Sequence, residues 1–127
     1  MPGEPYRVFI VEDEAQLSAA LKFLLEKRGY VCAYAESVEA ALPLIDKFKP
    51  DALLTDGALP GAQGLSLAGY LRSHPAHANV KIIVMSGDAG QKQLVTVMRD
   101  QVHGFLAKPF KTEQLVETLE RLLPPRK

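Results

Sequence analysis

The sequence predicts a doubly wound α/β sandwich. Two observations carry this reading. Five short runs of β-branched or apolar residues recur along the chain, most of them apolar throughout, and a segment of helical period follows each one. A run apolar at every position marks a strand buried on both faces, as in a parallel sheet, whereas a half-buried strand alternates. Strand and helix alternating five times, joined by right-handed crossovers, put helices on both faces of one sheet.

The first run is Val8-Phe9-Ile10-Val11. After it, Leu17, Leu21, Leu24 and Leu25 share one helical face, Lys22 and Glu26 fall off it, and Gly29 stops the helix. The second run is Val31-Cys32-Ala33-Tyr34-Ala35. Ser37 is then suited to cap a helix whose apolar face is Val38, Ala41, Leu42, Ile45 and Phe48. Pro43 lies beyond the first turn of that helix and removes a backbone donor, so a kink or a delayed start is expected. The third run, Ala52-Leu53-Leu54-Thr55, precedes Leu67, Ala68 and Leu71, which end near His74-Pro75. The fourth, Ile82-Ile83-Val84-Met85, precedes Leu94, Val95, Met98 and Val102. The fifth, Gly104-Phe105-Leu106-Ala107, precedes Leu115, Val116, Leu119, Leu122 and Leu123, which Pro124-Pro125 end. Residues 1–127 read as one domain with a core of about 6–123 and short flexible tails at 1–5 and 124–127.

Composition narrows the function. The chain has 127 residues, 47% hydrophobic and 24% charged, enough to bury a core. Lys plus Arg and Asp plus Glu are 15 each, so no net charge attracts nucleic acid or an anionic membrane. No apolar run has the length of a signal peptide or a bilayer span. A single cysteine, Cys32, excludes an internal disulfide and suits a reducing cytoplasm. It sits in an apolar run and reads as a small buried hydrophobe rather than a redox sensor. His74 and His77 read as loop residues, and His103 is too far from other candidate ligands to suggest a metal site or triad.

In an open α/β sheet, ligands bind outside the carboxyl ends of the strands. The residues expected there are Glu12 and Asp13 after the first run, Asp56 at the end of the third, Ser86 and Gly87 after the fourth, and Lys108 and Pro109 after the fifth. Alone, each has an ordinary explanation: an acidic pair favours a helix N-terminus, Asp-Gly and Ser-Gly are turns, and a lysine is a surface charge. Together they converge three carboxylates, a hydroxyl and an ammonium on one rim. Three close carboxylates repel unless a cation neutralises them, and Mg²⁺ suits an all-oxygen site of this kind.

These pieces resemble those of the response-regulator receiver domains. The resemblance runs from Val8 to Leu123. It rests on Val11-Glu12-Asp13-Glu14, on Leu54-Thr55-Asp56 with Leu59-Pro60-Gly61 and Gly64 behind it, on Met85-Ser86-Gly87, and on Lys108-Pro109-Phe110. It implies a flavodoxin-like (βα)5 sandwich with strand order 2-1-3-4-5, and a switch of two-component signalling rather than a turnover enzyme. It implies that Asp56 accepts a phosphoryl group from a histidine kinase or phosphotransfer protein. Asp13 and Asp56 would ligate Mg²⁺, Glu12 would do so through water, and the backbone carbonyl of Ala58 would complete the set. Lys108 would pair with Asp56 at rest and with the phosphoryl group afterwards, across a cis Lys108-Pro109 peptide. Ser86 and Phe105 would be the switch residues. The output face would be the fourth helix, fifth strand and fifth helix, roughly residues 90–123. It would carry Lys92, Arg99, Asp100, Lys111, Glu117 and Arg121, for a downstream protein or a second copy. Gly57-Ala58 and Asp88 depart from the common pattern: the first should open the site wall, the second bears on attack by water.

Two other activities fit less well. A phosphatase of the haloacid-dehalogenase kind places an acid two residues after its nucleophilic aspartate, and that position is Ala58. A dinucleotide or flavin module needs a glycine fingerprint after the first strand, and none is present. A receiver cut from a longer regulator would keep the same fold and site.

Overall fold

The computed structural model describes residues 4–56, 64–87 and 102–125, the side chains of residues 64–66 and 68 excepted. Its elements are β1 (Arg7–Val11), α1 (Ala15–Lys27), β2 (Val31–Ala35), α2 (Val38–Phe48), β3 (Ala52–Asp56), α3 (Gly64–Arg72), a 3₁₀ turn (Pro75–His77), β4 (Lys81–Ser86), β5 (Gly104–Ala107) and a C-terminal helix α4 (Thr112–Leu122). The sheet is parallel with order β2-β1-β3-β4-β5. This is the flavodoxin-like arrangement that the resemblance implies. Helix α4 fills the place of the fifth helical segment. The fourth segment, at Leu94, Val95 and Met98, lies outside the described residues. Val102, assigned to that segment from its spacing, is instead non-helical, buried, and leads directly into β5.

Alternation along the strands sorts the core into two layers. Phe9, Val11, Leu53, Ile82 and Val84 pack with Val38, Ala41 and Ile45 of α2 and with Leu67 and Leu71 of α3. Val8, Ile10, Leu54, Ile83 and Met85 pack with Leu21 and Leu25 of α1 and with Leu115 and Leu119 of α4. The three central strands are buried on both faces, as their unbroken apolar runs require. Strand β2 departs from that expectation. It is an edge, and Val31 and Tyr34 are exposed there. An apolar run does not distinguish an edge strand from a central one.

Local signals act as their chemistry dictates. The Ser37 hydroxyl accepts from the Ala40 N–H at 3.1 Å and caps α2. Gly29, at φ +95°, adopts the left-handed conformation just beyond α1. Pro43 neither breaks nor delays α2, which runs unbroken from Val38 to Phe48. Its ring is exposed, so the acceptor left unpaired by the missing N–H is on the water side. Cys32 is buried, and burial followed by the Glu26 charge pushes its thiol up to about 12, so the thiolate is negligible at neutral pH. His77 is not a loop surface residue. It is 4% exposed, and its Nε2 lies 2.8 Å from Asp46 Oδ1, tying the 3₁₀ turn to α2. Pro124 is tied to the start of β1: the Tyr6 hydroxyl donates to its carbonyl.

Gly104 leaves little room for a side chain between β4 and α4. A Cβ on Gly104 would lie 3.1 Å from Thr118 Cγ2 and 3.5 Å from Ile83 Cγ1. Gly104→Ala is therefore expected to cost about 1–2 kcal/mol by overpacking. Thr118→Ser, which removes the methyl, should recover most of it in a double-mutant cycle read by urea unfolding. Strict additivity of the two changes would refute the contact as the cause.

His103 closes the start of the β4–β5 pair. Its N–H donates to the Ile82 carbonyl at 2.8 Å, and the Ile82 N–H donates to His103 Nδ1 at 3.0 Å. Nδ1 must therefore be unprotonated. Burial, and then the Arg72 and Lys81 charges, hold the imidazole below the usual histidine range. The unfolded chain takes up this proton first. The stability is thus fully present above the ordinary histidine value, and is lost as pH falls from there through the lowered folded value. The melting temperature should drop by a few degrees between about pH 7 and 5. His103→Asn, whose amide oxygen can still accept, should flatten that slope.

Candidate functional site

The parallel register brings the strand ends to one rim. Val11 of β1 stands beside Thr55 of β3, Asp56 beside Met85 of β4, and Ser86 beside Ala107 of β5. The next residue of β1 is Glu12, and the next of β5 is Lys108. Asp56 and Ser86 are buried at 7% and 2% exposure, Glu12 at 1%, and Asp13 is exposed. One ligand oxygen from each of Glu12, Asp13 and Asp56 lies within 4.8 Å of the others, the only such cluster among the described residues.

Lys108 bridges two of these acids. Its ammonium donates to Glu12 Oε1 at 2.7 Å and to Asp56 Oδ2 at 3.1 Å. The Lys108 N–H donates to the Ser86 carbonyl at 2.9 Å, which ties the β5 end to β4, and the Lys108-Pro109 peptide is cis. The pairing with Asp56 is the one the resemblance implies; the shorter bond to Glu12 is an addition to it. No sequence signal marks it, because 96 residues separate the two partners.

The electrostatics follow from this crowding. Burial pushes the Glu12 carboxyl above its ordinary range. The Lys108 hydrogen bond and the Glu14 N–H pull it down, the Asp56 charge pushes it up, and the net direction is up. Burial alone would lower the Lys108 ammonium, but hydrogen bonds to Glu12 and Asp56 outweigh it and hold it above the ordinary lysine range. A single ammonium thus serves two carboxylates, with a third beside them, so the pocket keeps an excess of negative oxygen. That donor set fits a hard divalent cation such as Mg²⁺, which takes one or two carboxylates and fills its remaining positions with water and phosphate oxygens.

Phe105 lies on β5, partly buried against the α2/α3 layer, and helps line a groove of about 370 Å³ with Leu106, Gln114, Glu117, Thr118 and Arg121. Gly57, Ala58, Leu59-Pro60-Gly61 and Asp88 lie outside the described residues. A second cleft, of about 530 Å³, opens at the opposite end of the sheet around Asp46, Lys49, Asp51 and His77, away from the carboxylate rim.

Fold and site together define a class: a flavodoxin-like sandwich with an acidic, lysine-bridged pocket at the carboxyl rim of its sheet. The family model of the response regulator receiver domain matches residues 8–120, and the chain belongs to that family. It is a receiver domain of two-component systems. It is 30% identical to the phosphate regulon transcriptional regulatory protein PhoB of Pseudomonas aeruginosa over 116 residues, covering 91% of this chain and 51% of that protein. The chain therefore spans about half the length of the PhoB regulators it matches. Over 117 residues it is 26% identical to the chemotaxis protein CheY of Pseudomonas aeruginosa, covering 91% of this chain and 94% of that one. Among solved structures it is similar to the response regulator TrrA of Thermotoga maritima in complex with Mg²⁺-BeF. The TM-score is 0.82 at 27% identity, over 93% of this chain and 99% of that one. Receiver domains are signalling switches that bind Mg²⁺ at an acidic pocket and interact with histidine kinases or phosphotransfer proteins. No helix among the described residues is long and apolar enough to cross a membrane.

Proposed function

We propose that Asp56 is the phosphoacceptor of this receiver and that its phosphorylation alters a protein-binding face. The observation that carries the reading is the Asp56 carboxylate at the end of β3, bonded to Lys108 and clustered with Glu12 and Asp13. One carboxylate oxygen of Asp56 attacks the phosphorus of a phosphohistidine. A P–O bond forms, the P–N bond breaks, and its electron pair leaves on the imidazole nitrogen. Asp13 and Asp56, with Glu12 and the Ala58 carbonyl, would hold Mg²⁺. Bound there, the ion would supply positive charge against the phosphoryl oxygens. Lys108, shared at rest between Glu12 and Asp56, turns to a phosphoryl oxygen.

The Ser86 hydroxyl, at the end of β4, is recruited to the phosphoryl group, and Phe105 moves inward toward the space it leaves. Residues 90–123 carry the output to a downstream protein or a second copy. The donor is a histidine kinase or phosphotransfer protein of the cytoplasm, and residues 1–127 act as one receiver unit. The length of PhoB favours a second reading, in which the same switch controls an attached output domain. The mass of the natural product separates the two.

The test is incubation with a small phosphodonor and Mg²⁺, read by intact mass. One phosphoryl group per chain is expected, and none when the metal is chelated. A chain that stays unmodified with Mg²⁺ present would overturn the reading.

A further inference from the structure

Ser18 is buried at 1% exposure in α1, on the face that also carries Leu21 and Leu25. A serine inside a helix ordinarily bonds the carbonyl four residues back. Here the Glu14 carbonyl accepts only the Ser18 N–H of these two donors, at 3.0 Å, and the Ser18 hydroxyl donates to the Glu12 carbonyl at 3.2 Å, in the connection between β1 and α1. Glu14, the N-cap residue, makes no side-chain capping bond, so the connection is held from elsewhere. Glu12 bears that restraint at four points. Its N–H donates to the Ala35 carbonyl at 3.1 Å, its Oε2 accepts from the Glu14 N–H at 3.0 Å, its Oε1 accepts from Lys108 at 2.7 Å, and its carbonyl accepts from Ser18.

The Glu12 carbonyl belongs to the peptide unit that carries Asp13. With the N–H and the carboxylate of Glu12 fixed, rotation of that peptide is the motion that would swing Asp13 out of the cluster. We propose that Ser18 is a positioning residue: its hydroxyl fixes the Glu12–Asp13 peptide and so holds the exposed Asp13 carboxylate ready for a divalent cation. The inference rests on the reading of Asp13 as a metal ligand. A site held in place before binding discriminates by size. Mg²⁺ demands near-octahedral geometry, while Ca²⁺ tolerates a loose one. Groups that orient metal ligands typically affect affinity by 10–100-fold.

The experiment titrates Mg²⁺ and Ca²⁺ into the whole chain by calorimetry or amide shifts. It compares the parent with Ser18→Ala, Ser18→Thr and Asp13→Asn, and takes melting temperatures alongside. Ser18→Ala removes one oxygen and is expected to fold. It should weaken Mg²⁺ about tenfold and Ca²⁺ much less, so that the preference for Mg²⁺ falls. Ser18→Thr, which keeps the hydroxyl, should restore the preference. A purely structural role would lower the melting temperature and leave the ratio of the two affinities unchanged, which overturns the proposal. Parental Mg²⁺ affinity in Ser18→Ala, with Asp13→Asn impaired, overturns it alone. No binding by the parent, or undiminished binding by Asp13→Asn, overturns the site reading and the proposal with it.

Discussion

Asp56→Asn is expected to abolish phosphoryl uptake outright, from a small phosphodonor and from a phosphohistidine donor alike. The amide keeps the shape and burial of the side chain but has no anionic oxygen to attack phosphorus. It also removes one of the three charges that repel each other at the rim, so the variant should fold at least as stably as the parent. Intact mass after incubation reads the first effect, and thermal unfolding reads the second. Phosphorylation persisting at parental level would mean that another carboxylate is the acceptor. Asp13, the exposed acid of the cluster, is the first alternative, and peptide mapping of the phosphorylated chain would identify it. A loss of uptake together with a large loss of stability would instead mean that the substitution had disrupted the fold.

Lys108→Met should act in opposite directions on two properties of the site. Phosphoryl transfer should slow on the order of 10²–10³-fold, the usual consequence of losing one preplaced positive charge at a developing anion. Mg²⁺ should bind more tightly, because the ammonium that competes for Glu12 and Asp56 is gone. A simple unfolding effect would weaken both. The pH dependence of stability follows the same partners. The contribution of Lys108 is fully present below the ordinary lysine value of 10.5 and is lost as pH rises through its raised folded value. Glu12 has the same sign in a lower pH window: its folded carboxyl lies above 4.5, so the folded chain gains stability as pH falls through that raised value. In Lys108→Met the alkaline loss should disappear. The gain on acidification should grow, because the Glu12 carboxylate is left buried without its cation. Melting curves without metal from acid to alkaline pH measure both limbs, and an unchanged profile would sink the assignment of Lys108 as the bridge.

Much of the site is legible in the sequence because the fold reduces it to strand ends. Once the runs ending at Val11, Thr55, Met85 and Ala107 are taken as parallel strands, the residues that follow them must share a rim, and these include Glu12, Asp56, Ser86 and Lys108. Helix boundaries were legible wherever a backbone requirement has a dedicated residue, as at Ser37 and Gly29. They were less so where the surroundings decide. Pro43 is tolerated because its face of α2 meets solvent, and exposure is not written at that position. His77 reads as a loop residue from its neighbours Pro75 and Ala76, but it is buried because Asp46, 31 residues away, stands 2.8 Å from its ring.

By itself, the sequence determined the alternation of strands and helices and the acids, hydroxyl and lysine at the strand ends, since periodicity and chain order suffice for these. Tertiary structure alone decided that Val31 and Tyr34 of β2 are exposed, that His103 accepts a backbone hydrogen bond from β4, that Ser18 reaches back to the Glu12 carbonyl, and that Lys108 is shared between Glu12 and Asp56. Each of these depends on a distance between groups that the chain brings together only on folding. A hydrogen bond falls off within a few tenths of an ångström, and no local pattern of residues specifies a separation that fine.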